Sequence, residues 1–367
     1  MLDKPTMLSY ILEEQEKLTA ILAQYPANID QAIEGLDLSA KNWLVLGTGS
    51  SINAAQSAKY YMEKKAKIKL DIQEPYNFSH YEMIDPTLQV VLGISQSGQS
   101  TSTIEAMNKV NAHHAVHTMA VTSIPDSEIT KVTSSTLDIL SGQERVGYVT
   151  LGFSATVLNL MLLGLRIAVK KQLLSETQEQ QELTDFKNLT ATFNQSIEKT
   201  IAFFTNNRSD FKAAPRFTAI AYGPTVGTAQ EMETKFSETI RVPSQGVELE
   251  AFMHGPYLEI NPEHRLFFID TPAKAEIIEK ASLLKQYEQK HTAHVFTISL
   301  RKETAEHDHE LALGSCEDEY KAPYLAIIPF QVLCWYISKE KGIDITQRIF
   351  TDFSQAVKSK TTVQDYV

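Results

Sequence analysis

Short apolar runs rich in β-branched residues alternate with helical patterns in both halves of this 367-residue chain. Alternation of this kind is typical of βαβ units, in which helices cover a parallel sheet. The predicted strands are Trp43–Leu46, Ile68–Ile72, Gln89–Ile94, Thr118–Thr122, Thr136–Leu140, Phe217–Tyr222, Leu266–Asp270 and His294–Ser299. The predicted helices are Leu8–Leu22, Asn53–Lys65, Thr103–Asn111, Thr228–Ile240, Lys274–Gln289 and Ile327–Lys341. The repeated order predicts an α/β fold with two parallel sheets in tandem.

The length of the chain also predicts a division into domains, because a single core rarely grows beyond about 250–300 residues. We expect α/β domains at residues 25–175 and 210–345, followed by a C-terminal tail at 346–367. The intervening segment 170–214 is rich in Gln, Glu, Thr and Asn and poor in Gly and Pro. It is therefore predicted to be a helical connection and not a flexible linker.

Charge and composition narrow the classes of partner. The chain carries 45 acidic and 34 basic side chains, so its formal net charge is 34 − 45 = −11, which disfavours nucleic acid or a membrane surface as a partner. Cys316 and Cys334 are too few for a disulfide framework, which favours a cytoplasmic protein. The most apolar stretch, Val157–Val169, is shorter than the roughly 20 residues of a membrane span and is predicted to be a buried helix. The N-terminus shows no targeting signal.

Two junctions between a strand and the following helix carry hydroxyl groups. The first is Gly47–Asn53, and the second is Ser95–Thr103, in which six of nine residues bear a hydroxyl. Each opens a helix, so its side chains and free backbone N–H groups lie at the positive end of a helix dipole, where anions bind. In open α/β sheets, ligands bind at this carboxyl edge of the strands. The residues predicted to hold a phosphate group are Ser50, Ser51, Ser95, Gln96, Ser97 and Ser100.

The alternative for each junction is helix capping, since Ser and Thr are preferred N-caps and Gly permits a tight turn. Two such loops on neighbouring strands favour binding. A dinucleotide site is disfavoured because Ile52 stands where the Rossmann fingerprint requires Gly or Ala. A P-loop is excluded because no Gly-Lys-Ser/Thr follows a Gly-rich loop.

A charged stripe marks the predicted helix at Thr228–Ile240. Glu231, Lys235 and Glu238 recur at i, i+4 and i+7, away from an apolar face. By itself, such a stripe is more often a solvated ladder of ion pairs than a catalytic group. His254 follows in a His-Gly-Pro turn, which places a titratable imidazole on a fixed backbone, although a lone histidine is more often structural.

The stretch His307–Glu310 combines histidine and carboxylate side chains, and Cys316 follows it. The spacing of these residues fits no standard zinc pattern. The stretch is therefore predicted to be an exposed acidic loop, and no metal or other cofactor is expected.

Together these segments resemble the sugar isomerase (SIS) fold in tandem. The likeness is greatest to the isomerase half of the glucosamine-6-phosphate synthase family and covers nearly the whole chain. Gly47–Ser51 and Ser95–Ser100 are similar to the two sugar-phosphate loops of that family. Lys235-x-x-Glu238, followed 16 residues later by His254, is similar to its catalytic segment in residue type and spacing. The resemblance implies two flavodoxin-like, three-layer domains.

The C-terminal run Val357–Val363 resembles the tail lysine segment of the family. The alignment slips there by two residues, so Lys358 and Lys360 both fit, and Lys360 is favoured. Two positions depart from the family pattern: Gln99 replaces a Glu in the second loop, and no lysine stands in the segment after Glu144. The chain also shows neither the glutaminase domain nor the N-terminal cysteine of the synthase, so it is not expected to draw ammonia from glutamine.

Pro5–Glu14 and Val146–Phe153 are similar to a subgroup of SIS pairs that act as deglycases. That likeness implies cleavage of 6-phosphorylated Amadori-type adducts of an amino acid and a sugar, giving hexose 6-phosphate and free amine. Two alternatives stay open. One is an isomerase of aldose and ketose or amino-sugar phosphates, or a deaminase, and the other is a phosphosugar sensor without catalysis.

The resemblance also implies roles for the candidate catalytic residues. Glu238 would move a proton between C1 and C2 of the sugar, and His254 would assist ring opening, which requires groups that titrate near the working pH. Lys235 or Lys360 would balance charge or form a Schiff base. The family likeness further implies a homodimer in which the histidine segment reaches the site of the neighbouring subunit.

Overall fold

The computed structural model of the chain describes residues 4–113, 116–364 and 366. The chain divides into two compact units. The first unit comprises Met1–Thr6, Glu16–Asn188 and Arg348–Val367, and the second comprises Met7–Gln15 and Leu189–Gln347. Each unit contains one five-stranded parallel sheet, and each is described below by itself.

The first unit is built on a sheet with the strand order β2-β1-β3-β4-β5. Its strands are β1 (Asn42–Leu46), β2 (Lys69–Gln73), β3 (Val90–Ile94), β4 (His117–Thr122) and β5 (Ser135–Asp138). The helices in the part of the chain up to residue 191 are α1 (Met7–Gln24), α2 (Ala27–Ala32), α3 (Ser50–Ala66), α4 (Pro75–His80), α5 (Thr101–His113), α6 (Leu151–Lys170) and α7 (Glu176–Ala191). This is the flavodoxin-like order, in which the chain turns from β1 towards one edge of the sheet and from β3 towards the other.

The second sheet has the order β11-β9-β8-β6-β7, which is the order of the first sheet repeated. Its region contains β6 (Phe217–Ala221), β7 (Ser244–Glu248), β8 (Arg265–Asp270), β9 (Val295–Ser299), β10 (Arg301–Lys302), β11 (Glu310–Ala312) and β12 (Gly314–Ser315), of which β10 and β12 form a separate antiparallel pair. The remaining helices are α8 (Phe193–Asn206), α9 (Arg208–Ala213), α10 (Val226–Thr239), α11 (Leu249–Phe252), α12 (Ala275–Glu288), α13 (Ala322–Glu340) and α14 (Phe353–Ala356). The prediction of an α/β fold with two flavodoxin-like parallel sheets in tandem is confirmed.

Inner strands of both sheets are buried, and β3 and β6 are buried along their whole length. Helices cover both faces of a parallel sheet, so its central strands read as unbroken apolar runs. The helix predicted at Val157–Val169 is α6, which is longer than predicted because it begins at Leu151. Its length and hydropathy would suit a membrane span, but 89% of its most apolar window is buried inside the protein. An all-round apolar helix of this kind is explained by burial in the core.

Two strands of the second sheet were not predicted. The edge strand β7 is half-buried throughout and lacks an apolar run. The strand β11 begins at Glu310, inside the stretch His307–Glu310 that was predicted to be an exposed loop. Glu310 is buried, and the His309 ring lies 4.7 Å from the ring of Phe296. The prediction is therefore wrong for the end of that stretch, because β11 pairs with β9.

Glu288, at the C-terminal end of α12, is a buried acid in the second unit. Its side chain has no solvent exposure, and neither carboxylate oxygen has a hydrogen-bond partner among the described residues. Burial disfavours the charged form of a carboxyl group. It raises the pKa of Glu288 from 4.5 to about 6.

Glu288→Gln should remove a pH-dependent loss of stability. Because the pKa is raised in the fold, the favourable contribution of this carboxyl is complete below the unfolded pKa of 4.5 and is lost as the pH rises through about 6. Between pH 4.5 and pH 8, the free energy of unfolding should shift by about 1–2 kcal/mol in favour of the variant. Urea denaturation at several pH values measures this shift. The exposed Glu279→Gln on the same helix is the control, and equal pH profiles for both variants would contradict the unpartnered burial of Glu288.

Candidate functional site

The two hydroxyl-bearing junctions lie at the carboxyl ends of β1 and β3, which are neighbouring strands. The strand order reverses between β1 and β3, and such a switch point is where open α/β sheets bind ligands. A cleft of about 150 Å³ lies there within the first unit. All six residues predicted to hold phosphate line this cleft, together with residues from the start of α6 and with Lys360 and Tyr366 of the tail.

The second junction is held in one conformation by hydrogen bonds from its neighbours. The backbone carbonyl of Gln96 accepts from Ser123 N at 3.0 Å, from Ser123 Oγ at 2.8 Å and from Thr122 Oγ1 at 3.1 Å. Gly98 has a φ of +65°, and a Cβ at this position would lie 1.8 Å from Ser127 Oγ. The turn therefore requires glycine for both conformation and space. The hydroxyl groups of this loop are presented on a preformed scaffold.

The C-terminal tail pairs with the same loop. Thr361 N donates to the carbonyl of Gln99 at 3.0 Å, and Thr101 Oγ1 donates to the carbonyl of Lys358 at 2.8 Å. The side chains of Gln99 and Thr361 are also hydrogen-bonded to each other. Gln99, the position that departs from the family Glu, thus helps to hold the tail against the loop.

Of the two tail lysines, Lys360 lines the cleft and Lys358 is exposed. Lys360 Nζ donates to Ser97 Oγ at 3.1 Å. No acidic side chain among the described residues lies within ion-pair distance of Lys360. Burial without a compensating charge disfavours the ammonium form, and it lowers the pKa of Lys360 below the usual value for lysine.

The wall of the cleft formed by the start of α6 carries no basic group. Val149, Gly152, Phe153 and Thr156 line it. This is the segment after Glu144 in which the family pattern has a lysine. Among the described residues that line the cleft, Lys360 is the one that brings an amine to the two hydroxyl-bearing junctions.

In the second unit, the charged stripe of α10 is buried. Lys235 Nζ lies 2.5 Å from Glu238 Oε2 and 3.7 Å from Glu231 Oε1. The side chains of Lys235 and Glu231 are each 1% exposed, so the interpretation as a solvated ladder is wrong. The helix α13 packs against α10. Glu231 was not predicted as a site residue, although its i, i+4 spacing to Lys235 was a signal for it.

Burial by itself would lower the pKa of Lys235. The nearby carboxylates of Glu238 and Glu231 outweigh that effect and raise the pKa of Lys235 above its usual range. Lys235 is therefore held as a charged ammonium, in contrast to Lys360. Glu238 is about one-third exposed, so it is the member of the cluster that solvent or a ligand can reach.

His254 lies just after the short helix α11 and is largely exposed, with 72% of its side chain accessible. Its Nε2 lies 3.2 Å from Glu250 Oε1, and Glu250 also pairs with Lys280. Among the described residues of the second unit, no hydrogen bond or ion pair joins His254 to Lys235 or Glu238. The structure therefore brings Lys235 and Glu238 together and leaves His254 at the surface.

No group of three or more His, Cys, Asp or Glu side chains arranged for a metal ion is found within residues 4–113, 116–364 and 366. Cys316 and Cys334 are buried thiols that form no disulfide with each other. Burial raises the pKa of the Cys334 thiol to about 12, which holds it in the protonated form that is a poor nucleophile.

Comparison with protein families agrees with this geometry. Residues 38–166, which include all five strands of the first sheet, match the family model described as the SIS domain. Glutamine–fructose-6-phosphate aminotransferase (isomerizing) of Gloeobacter violaceus is 24% identical over 305 residues, which are 83% of this chain and 50% of that protein. The chain spans about half the length of the curated relatives that it matches.

Two solved structures extend the comparison to both units. A Clostridium difficile protein described as a candidate phosphosugar isomerase has a TM-score of 0.86 and 24% identity, covering 97% of this chain and 99% of its own. The C-terminal domain of glucosamine-fructose-6-phosphate aminotransferase from Francisella tularensis has a TM-score of 0.84 and 20% identity, covering 93% of this chain and 97% of its own. The predicted similarity to the isomerase half of that synthase is confirmed.

Lys235→Met should destabilise the protein strongly. It leaves the carboxylate of Glu231 buried without its cation, and breaking a buried ion pair in this way costs about 3–5 kcal/mol. The double variant Glu231→Leu with Lys235→Met removes both buried charges and should recover most of that loss. Urea denaturation measures both effects.

The matched control is Lys280→Met, which removes an ion pair at the surface and should leave the stability nearly unchanged. An equally mild effect of Lys235→Met would contradict the buried pairing of Lys235 with Glu231.

Proposed function

We propose that this protein is a deglycase, which cleaves 6-phosphorylated Amadori-type adducts of an amino acid and a sugar to hexose 6-phosphate and free amine. The substrates would be of the fructoselysine or glucoselysine 6-phosphate type. The observation that carries the proposal is the cleft of the first unit, where two hydroxyl-rich loops converge beside the amine of Lys360, which contacts a serine hydroxyl and no acidic side chain among the described residues. The similarity to proteins named for phosphosugar isomerisation and amino transfer supports the same chemistry.

The phosphate group would bind where α3 and α5 begin. Ser51, Ser97 and Ser100 offer hydroxyl donors there, and the first backbone N–H groups of both helices carry partial positive charge. A site of this kind holds an anion without a basic surface. The net charge of −11 is therefore compatible with a small anionic substrate.

Lys360 is the residue we assign as the amine that reacts with the open-chain carbonyl. A neutral amine is the nucleophile in Schiff-base formation, and the lowered pKa of Lys360 increases its neutral fraction. Lys235 is held as an ammonium between two carboxylates. We therefore assign Lys235 the role of orienting Glu238 and not that of a nucleophile.

Glu238 is the proposed proton shuttle between C1 and C2 of the substrate. Water first hydrolyses the Schiff base of Lys360, which frees the lysine and restores the open-chain carbonyl. Removing a proton from one carbon then gives an enolamine, and returning it to the other gives an imine. Water then hydrolyses the imine and releases the amine. His254 would assist ring opening, and its exposure suits a contribution to the site of a neighbouring subunit in a homodimer. We expect the protein to act in the cytoplasm.

A second candidate is an isomerase or deaminase acting on hexose or amino-sugar 6-phosphates. The names of the similar proteins favour this candidate. The same proton shuttle would then stop at the exchange between aldose and ketose, because no adduct would be present to hydrolyse.

Incubation of the protein with 6-phosphofructosyl-lysine or 6-phosphoglucosyl-lysine should release lysine and hexose 6-phosphate. Chromatography of both products measures this release. Glu238→Gln should lower turnover at least about 100-fold without weakening substrate binding, because the amide cannot accept the proton. The exposed Glu276→Gln is the control and should retain turnover. Conversion of free hexose or glucosamine 6-phosphate without cleavage of any adduct would favour the second candidate. Binding of sugar phosphate without turnover of any compound would indicate a sensor.

Lys360 should form a Schiff base with an aldehyde that carries a phosphate group. Pyridoxal 5′-phosphate followed by borohydride reduction should label Lys360 well before Lys358, with the site read by peptide mass spectrometry. Because burial lowers the pKa of Lys360, its labelling rate should level off at a lower pH than that of an ordinary lysine. Inorganic phosphate should protect Lys360 and leave Lys358 unaffected. Equal labelling of the two lysines, without protection, would contradict the assignment.

A further inference from the structure

The start of α6 brings a third helix N-terminus to the cleft, but a side chain of the protein already occupies its donors. The carboxylate of the buried Glu144 accepts from Thr150 N and Thr150 Oγ1, each at 2.8 Å, and from Gly152 N at 3.0 Å. An anionic ligand would have to compete with this carboxylate for the same N–H groups. The helix starts that remain as candidates for phosphate are those of α3 and α5, where Thr101 N already donates to the carbonyl of Ser359 at 3.3 Å.

The same carboxylate faces Gln96. The distance from Gln96 Nε2 to Glu144 Oε2 is 3.5 Å. An ionised carboxylate only accepts hydrogen bonds and repels the oxygen of an amide, so the amide turns its nitrogen towards Glu144. No donor among the described residues reaches Gln96 Oε1, and the residue lines the cleft. Gln96 therefore offers an acceptor to whatever occupies the cleft.

Gly152 provides the space for this arrangement. A Cβ at position 152 would lie 2.2 Å from Gln96 Nε2 and 2.7 Å from its Cδ. Any side chain there would push the amide away from the start of α6. Three hydrogen bonds to its carbonyl fix the backbone of Gln96. The loop therefore could not shift to keep the displaced amide close to Glu144.

We propose that Gln96 reads a hydroxyl group of the sugar, and that Glu144 is the positioning residue that sets its orientation. An amide oxygen repels phosphate oxygens and accepts from a sugar O–H. This inference rests on the phosphate site of the proposed function and narrows it. Gln96, which was predicted to be a phosphate ligand, is reassigned as a residue that determines specificity for the sugar. The ligand class becomes a phosphosugar with a hydroxyl near its phosphate end.

The test compares two probes by titration calorimetry: inorganic phosphate and glucitol 6-phosphate, an open-chain sugar phosphate without a carbonyl. Gln96→Leu should weaken glucitol 6-phosphate roughly 3- to 10-fold, the range for one lost neutral hydrogen bond, and leave inorganic phosphate unchanged. Ser51→Ala is the control and should weaken both probes by the same factor. Equal weakening of both probes by Gln96→Leu would overturn the inference and leave the phosphate site intact.

Two further variants test the positioning role. Glu144→Gln should lower the preference for glucitol 6-phosphate over inorganic phosphate, because the amide of Gln96 is then no longer oriented. Gly152→Ala should do the same, whereas the matched Gly147→Ala has nothing within 4 Å of its new Cβ and should behave as the wild type. An unchanged preference in Gly152→Ala would overturn the positioning role. Failure of the wild type to bind either probe would overturn the phosphate site and, with it, this inference.

Discussion

The reversal of strand order between β1 and β3 is the constraint on which the candidate site depends. From β1 the chain leads back to β2 at one edge, and from β3 it leads on to β4 at the other. With right-handed crossovers, the helices after these two strands lie on opposite faces of the sheet. Their N-termini diverge from one crevice, and the N–H groups that no helix can satisfy point into it. Hydroxyl side chains and a tail lysine complete a site that the backbone has already made favourable for an anion.

The second sheet has the same strand order but carries a tyrosine at the junction after its first strand. Tyr222 follows β6, where Gly47 follows β1, and its hydroxyl accepts from Thr271 N at 3.0 Å. Thr271 follows β8 as Ser95 follows β3. Ser95 N donates to the carbonyl of Val121 at 3.0 Å, so both backbone donors are taken within the protein, by a side chain in the second unit and by the backbone in the first. Tyr222 is buried, and burial raises the pKa of its hydroxyl. The repeated topology therefore carries a hydroxyl-lined cleft in the first unit and a buried charged helix in the second.

Much of this fold could be predicted from apolar runs, because strands such as β3 are buried on both faces and show it in every residue. The edge strand β7 could not be predicted in this way, because close packing determines where it lies. A Cβ on Gly246 would lie 2.1 Å from the carbonyl oxygen of Ala229. Periodicity showed that Glu231 and Lys235 share a stripe, but it could not show that α13 packs against that helix. Periodicity likewise could not show that the tail pairs with the second loop, which places Lys360 in the cleft and leaves Lys358 exposed.

The two lysines illustrate how environment divides chemistry between similar side chains. Lys235 is buried and Lys360 is half-buried, and burial alone disfavours charge on each. Lys235 has two carboxylates within 4 Å and stays an ammonium, whereas Lys360 has a serine hydroxyl and no acidic partner among the residues that the structure describes. Groups whose environments push their pKa values apart take different roles in acid–base chemistry. A bound phosphate would stabilise the ammonium form of Lys360 again, so the hydroxyls and helix dipoles must hold the phosphate away from this amine if it is to react.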